Sequence, residues 1–260
     1  MRRAAVLAAL LLLLAFPAAA SARKGGPICD GRAATIVGTD GNDDLTGTKA
    51  PDVIVAGSGN DVIHGLGGDD RICAGDGADR VFGGRGSDLI WAEGGRDRVE
   101  AERGNDYVSG GGGADLLDEN AGDGTVKGGP GRDRILGERG IDTLEGGPGA
   151  DRIIGGIGWD TLSGDGGADR IWPEKGHDSV DGGPGTDTVF YSTEPAGVVV
   201  DLARHRTLES AGHDSLLSIE NAVGSRFGDR LIGDPGDNVL VGGPGEDRLI
   251  GRGGQDKLMQ

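Results

Sequence analysis

Aromatic residues make up only 3% of this 260-residue chain, cysteines number two and histidines four, and acidic residues outnumber basic ones 43 to 26. Each shortage excludes something. With so few large apolar side chains an ordinary globular core is excluded, because burial on the scale of a compact domain needs them. Two cysteines and four scattered histidines leave soft metals without ligands. None of His64, His177, His205 and His213 belongs to an H-E-x-x-H pair, and there is no G-x-S-x-G turn, so the metalloprotease and hydrolase signatures are missing. His205 and His213 lie beside Asp201 and Asp214 and read as loop histidines rather than a catalytic or metal pair. The formal charge is −17, or −19 once the first 22 residues with Arg2 and Arg3 are set aside, which disfavours nucleic acid and anionic membranes as partners. The chain is expected not to be an enzyme.

Glycine is what the chain has, 55 of 260 residues, and with ten prolines it makes a quarter of the sequence. In an aperiodic chain that composition means disorder. This one is periodic. Seventeen nine-residue copies run without insertion or deletion from Gly38 to Phe190, and four more run from Gly224 to Met259. Aligned as G-G-x-G-x-D-x-U-x, with U aliphatic, the eighth column is aliphatic in all twenty-one copies, from Leu45 to Leu258. The sixth column is Asp in nineteen, the exceptions being Gly124 and Asn238, and the fourth is Gly except at Ala50 and Phe227. Seven copies keep both leading glycines, beginning at Gly83, Gly110, Gly128, Gly146, Gly155, Gly182 and Gly242. This is the nonapeptide pattern of parallel β-helices.

Each copy divides into a six-residue turn and a three-residue strand, as in Gly146 to Asp151 followed by Arg152-Ile153-Ile154. The expected fold is all-β: a parallel β-roll, a β-solenoid of nine-residue repeats with eighteen residues per coil and turns alternating between two edges. Stacked turns then lie eighteen residues apart, so Asp133 falls between Asp115 and Asp151. Only the middle residue of each strand points inward, which accounts for the aliphatic eighth column and its polar flanks. Coils about 4.8 Å apart give a rod roughly 50 Å long.

Glycines allow positive φ angles and close backbone approach, so that carbonyl oxygens face an ion. Carbonyls and carboxylates together suit calcium, a hard cation taking six to eight oxygens, better than magnesium. The candidate ligands are Asp43, Asp61, Asp70, Asp79, Asp88, Asp97, Asp106, Asp115, Asp133, Asp142, Asp151, Asp160, Asp169, Asp178, Asp187, Asp229, Asp247 and Asp256. A solenoid held without ions, its aspartates serving only as turn formers, does not explain Asp in one column nineteen times. Copy 119–127 has lost both leading glycines and carries Gly124 in the ligand column. The two sites it shares with the turns ending in Asp106 and Asp142 are expected to be empty or weak, with Asp123 a substitute one residue away.

These residues resemble the RTX (repeats-in-toxin, haemolysin-type) calcium-binding family over nearly all of residues 29–259. The resemblance implies β-rolls that form when multiple calcium ions bind. Residues 191–223 break the period, and Gly197 to Leu202 and Leu216 to Asn221 alternate as two strands would. They are similar to the non-repeat segment near the end of such arrays, with a G-V-x-V-D-L strand before an S-I-E-N strand, which implies a structural strand pair. Two departures limit the likeness. An N-terminal leader replaces the C-terminal export signal typical of the family, and no effector domain fits in this chain. Membrane lysis is therefore not carried over.

Residues 1–22 read as a secretory signal peptide, with Arg2 and Arg3 before an apolar stretch from Ala4 to Phe16 and a small-residue cleavage site at Ala20-Ser21-Ala22. About 13 apolar residues fall short of the ~20 that a spanning helix needs, so no membrane insertion is expected after cleavage. In an exported chain an even cysteine count favours a bond between Cys29 and Cys73. Residues 23–37 form a linker and cap in which 29–37 is a degenerate extra repeat with Ile36 in the aliphatic column; 38–190 and 224–260 are the two arrays, separated by 191–223. The expected role is a secreted, extracellular or cell-surface bacterial protein that is structural or binds an unidentified partner. The alternative is the calcium-binding tail or fragment of a secreted protease- or lipase-type enzyme or of a toxin. The array runs to within one residue of the terminus, which fits either an exposed final edge or a longer parent protein.

Overall fold

A computed structural model of the chain describes residues 27–209 and 212–260; the leader and most of the linker lie outside them. Among the described residues the strands form a 12-stranded and a 15-stranded sheet, and alternate copies enter alternate sheets. The register follows the eighteen-residue coil: Ile54 pairs with Ile72 and Leu144 with Leu162 in one sheet, Ile63 with Val81 and Ile135 with Ile153 in the other, all parallel. The repeat has no helical stretch because glycine breaks every turn. The described residues contain one short 3-10 turn, Leu202–Arg204.

The core is one residue deep from each sheet. Eighth-column side chains from Ile54 to Leu240 are buried, whereas Leu258 in the last coil is 46% exposed. Burying each aliphatic contributes about 1.5–3 kcal/mol. The outward ninth column is packed by surface stacking: Trp172 lies on Phe190 with ring centroids 4.2 Å apart and the Arg152 guanidinium 4.2 Å over its other side. Trp91 leans on Tyr107 at 6.1 Å. Both tryptophans are therefore packing residues of the sheet faces.

At the N-terminal end Ile28–Cys29 and Arg32–Ala33 form an antiparallel hairpin across Asp30 and Gly31. Their φ angles of 46° and 73° are the paired left-handed values a two-residue hairpin turn requires. Ile36–Val37 then pairs with Val53–Ser58, placing Ile36 against Ile54 as the cap alignment requires. The Cys29–Cys73 disulfide joins this cap to the third coil strand of its sheet, with the Cα atoms 5.7 Å apart.

Residues 191–223 hold four short strands where the sequence suggests two: Val198–Asp201, Arg206–Glu209, Ser215–Leu217 and Asn221–Val223. The stretch read as one strand from Leu216 to Asn221 turns at Ser218, whose φ of 51° is left-handed, and so supplies strands to both sheets. Ser215–Leu217 stacks on Ser179–Asp181, and Asn221–Val223 stacks on Thr188–Phe190. Arg206–Glu209 runs antiparallel between Ser215–Leu217 and Val198–Asp201, after which Val200 pairs with Leu231 of the second array. The segment thus splices the two arrays without breaking the core.

Candidate metal centre

The sixth-column aspartates stand directly above one another along each edge. The backbone N–H of Asp115 donates to Asp133 Oδ1 at 2.8 Å, that of Asp133 to Asp151 Oδ1 at 2.7 Å and that of Asp151 to Asp169 Oδ1 at 2.8 Å. The other edge repeats the arrangement, from Asp70 to Asp88 at 2.9 Å and from Asp142 to Asp160 at 2.9 Å. One carboxylate oxygen per turn is thereby used. In fifteen of the eighteen candidates, all except Asp43, Asp229 and Asp256, the second oxygen is buried and accepts no hydrogen bond.

Where the first column is glycine, those unused oxygens sit in cradles that a side chain would fill. A methyl group on Gly83 would come within 2.7 Å of both the Asp88 Oδ2 and the Ala101 carbonyl oxygen of the next coil. At Gly110 the same 2.7 Å separates such a methyl from the Asp115 Oδ2 and the Gly128 carbonyl oxygen. Second-column glycines such as Gly156, at φ 110°, let the Glu138 carbonyl of the adjoining coil approach where a side chain would clash. No three His, Cys, Asp or Glu side chains converge among the described residues. An ion here would take its remaining oxygens from main-chain carbonyls, a donor set that fits calcium.

Loss of water on burial pushes the carboxyls of Asp70, Asp97, Asp106, Asp142, Asp151, Asp178 and Asp187 from 3.8 up to about 7, and those of Asp88 and Asp133 to about 6. The N–H donated from the preceding turn works against the rise. Neighbouring carboxylates add to it. Asp79, Asp115, Asp160 and Asp169 rise for the same leading reason. A buried acid that half-uses its oxygens is a strong acceptor for a cation.

Three candidates differ. In Asp43 the Oδ2 accepts the Thr39 N–H at 2.6 Å and its hydroxyl at 2.9 Å, and in Asp229 the Oδ2 accepts the Ser225 N–H at 2.6 Å and the Oδ1 its hydroxyl at 2.8 Å, so a second-column hydroxyl residue satisfies the acid internally. Asp256, in the last coil, accepts the Asn238 N–H at 3.0 Å as the other aspartates do, but is only half-buried.

The structure adds four acids to the eighteen candidate ligands. Asp52 belongs to the sixth column and lies in the same stack, its N–H bonded to Asp70 Oδ1 at 2.8 Å and its own Oδ2 taken by Thr48. Asp214 accepts the Asp178 N–H at 2.9 Å and Glu220 accepts the Asp187 N–H at 2.8 Å, so both stacks continue through residues 191–223. Gly212-His213-Asp214-Ser215-Leu216 is itself a G-x-D-x-U match, a signal hidden by the broken spacing. The fourth acid is Glu119. In copy 119–127 it is fully buried in the turn and its side chain fills the space beside Gly124, whereas Asp123, the substitute the spacing suggests, accepts the Ile141 N–H at 2.8 Å on the exposed side. Of the histidines, His213 stacks on His177 at 5.7 Å and not on His205.

Comparison with curated proteins finds no match. The model of the RTX calcium-binding nonapeptide repeat matches residues 37–72, 74–108, 91–126, 127–158, 136–171, 154–189 and 223–258. With matches over most of its length, two edges of stacked aspartates and an eighteen-residue parallel coil, the chain belongs to the RTX calcium-binding repeat family.

Proposed function

We propose that the chain is an exported, non-catalytic rod whose folding is driven by calcium held between stacked turns, and that it serves a structural or surface-interaction role outside the cell. The carrying observation is the row of buried carboxylate oxygens that accept no hydrogen bond, several of them, as beside Gly83, Gly110 and Gly146, next to a carbonyl of the adjoining coil. Export is supported by the leader-like residues 1–22 and by the Cys29–Cys73 bond, which persists in oxidising surroundings. Millimolar calcium, the range to which extracellular modules are tuned, is found in the same place.

Circular dichroism tests the reading. In chelator the mature chain is expected to lack regular structure, because charged aspartates repel and glycine loses much entropy on ordering. Strand signal should rise as calcium approaches the millimolar range. Equal strand content in chelator and in calcium would reject calcium-driven folding.

A further inference from the structure

The turn of residues 119–124 departs from the repeat in two columns at once. Gly124 stands where Asp is expected, and Glu119 stands where Gly or Ala is usual. The backbone ignores both changes. Glu119 N–H bonds to the Leu136 carbonyl at 3.0 Å, as Gly128 N–H bonds to the Glu145 carbonyl at 2.8 Å in a regular copy, and Val126 is fully buried in the aliphatic column. Gly124 N–H donates to Asp142 Oδ1 at 2.9 Å, keeping the ladder of its edge.

Side-chain volume links the two departures. In regular turns a methyl on the first-column glycine would run into the sixth-column carboxylate, at 2.7 Å for Gly110 and Asp115 Oδ2. In this turn the relation is reversed: a methyl on Gly124 would meet Glu119 Oε1 at 2.6 Å and Cδ at 2.7 Å. The two columns therefore share one cavity, which has room for a single carboxylate from either side. Both Glu119 oxygens are buried and accept no hydrogen bond, while Asp106 and Asp142 stand in the turns before and after. Asn238, the other exception in the ligand column, contrasts with this. Its amide accepts the Asp234 N–H at 2.9 Å and donates to the Glu220 carbonyl at 2.8 Å, so the chain itself satisfies it. Glu119 has only the Asp106 N–H of the preceding turn facing its carboxylate, with neither oxygen in a formed hydrogen bond, and a buried acid left so is stabilised by a cation.

We propose that the Glu119 carboxylate is a calcium ligand, supplied from the first column in place of the aspartate missing at Gly124, and that it keeps this edge of the roll continuously metal-bound from Asp106 to Asp142. The assignment rests on the calcium reading above. It converts an apparent gap into a site with the ligand reached from the opposite side of the turn.

The test counts calcium bound per full chain by native mass spectrometry and reads hydrogen exchange at Tyr107–Ser109 and Thr125–Lys127. Glu119→Gln should lower the count by one or two ions and raise exchange in those strands, while Asp151→Asn lowers the count on the other edge. Gly124→Asp alone should also lose calcium, because two carboxylates crowd one cavity. The double variant Glu119→Gly with Gly124→Asp restores the regular turn and should return to the parent count, including where Glu119→Gln fails to fold. An unchanged count in Glu119→Gln, or a double variant that does not recover, overturns the proposal while Asp151→Asn still reports on the general reading. A parent chain that binds no calcium overturns both.

Discussion

Burial sets the behaviour of each ligand aspartate, and the sign of its pH dependence follows. In the ion-free roll the carboxyls of Asp70, Asp97 and Asp151 are raised to about 7, first by loss of water. Between about 4 and 7 the folded chain therefore holds more protons than the unfolded one, and its stability falls as pH rises through that window. Keeping one such carboxylate charged at pH 8 costs about 4 kcal/mol, so a handful of them match the ~5–15 kcal/mol of ordinary domain stability. In chelator, strand signal by circular dichroism is expected to be greater at pH 4 than at pH 8. With calcium the order reverses, because protons then compete with the ion. A chelated chain with more strand at pH 8 than at pH 4 would contradict the burial of these acids. At this scale the sequence was readable where one residue type recurs in one column. It was not readable at Glu119, Asp214 and Glu220, because a carboxylate reaching a site from another column, or after a shortened turn, leaves no periodic trace.

Within single elements, turn chemistry decides what is continuous and what is clipped. The cap hairpin is held by a two-residue turn at Asp30-Gly31 and by the bond from Cys29 to Cys73, a strand residue two coils further along its sheet. Closing a loop of 44 residues stabilises by about 4 kcal/mol in the chain-entropy model. Cys29→Ser should therefore accelerate hydrogen exchange at Ile36–Val37 and Val53–Ser58 and leave Thr161–Gly167 unchanged, since coils touch only their neighbours. Acceleration along the whole roll would show that the cap governs global rather than local stability. The cap's aliphatic Ile36 was legible from its column. The four strands of 191–223 were half legible: alternation shows that strands exist, but nothing local shows that Ser218 takes a left-handed turn and divides one apparent strand between two sheets.

As a whole the molecule is close to one-dimensional, with a core only one aliphatic residue deep per sheet and each turn bonded to the turns eighteen residues away. Stability in such a rod is a sum of coil terms and nearest-neighbour terms, so it need not vanish everywhere at once. The coils differ in what they contribute. From Gly128 to Asp178 every turn carries a buried, half-used aspartate and every strand a fully buried aliphatic, apart from traces at Leu162. In the second array Asn238 replaces one carboxylate, Ser225 already satisfies Asp229, Leu249 is half-buried and Leu258 is largely open to solvent. Calcium added below saturation should therefore order the middle of the first array before the second. Hydrogen exchange followed across a calcium titration is expected to show Arg152–Gly158 and Thr161–Gly167 protected at lower calcium than Val239–Val241 and Lys257–Met259. Simultaneous protection of all four strands would mean that ion binding couples along the entire rod. The same order of events makes the splice at 191–223 a relay, because Asp214 and Glu220 extend both aspartate stacks toward the second array and Tyr191 donates to Asp214 Oδ2 at 2.9 Å, fixing that acid within the core of the junction.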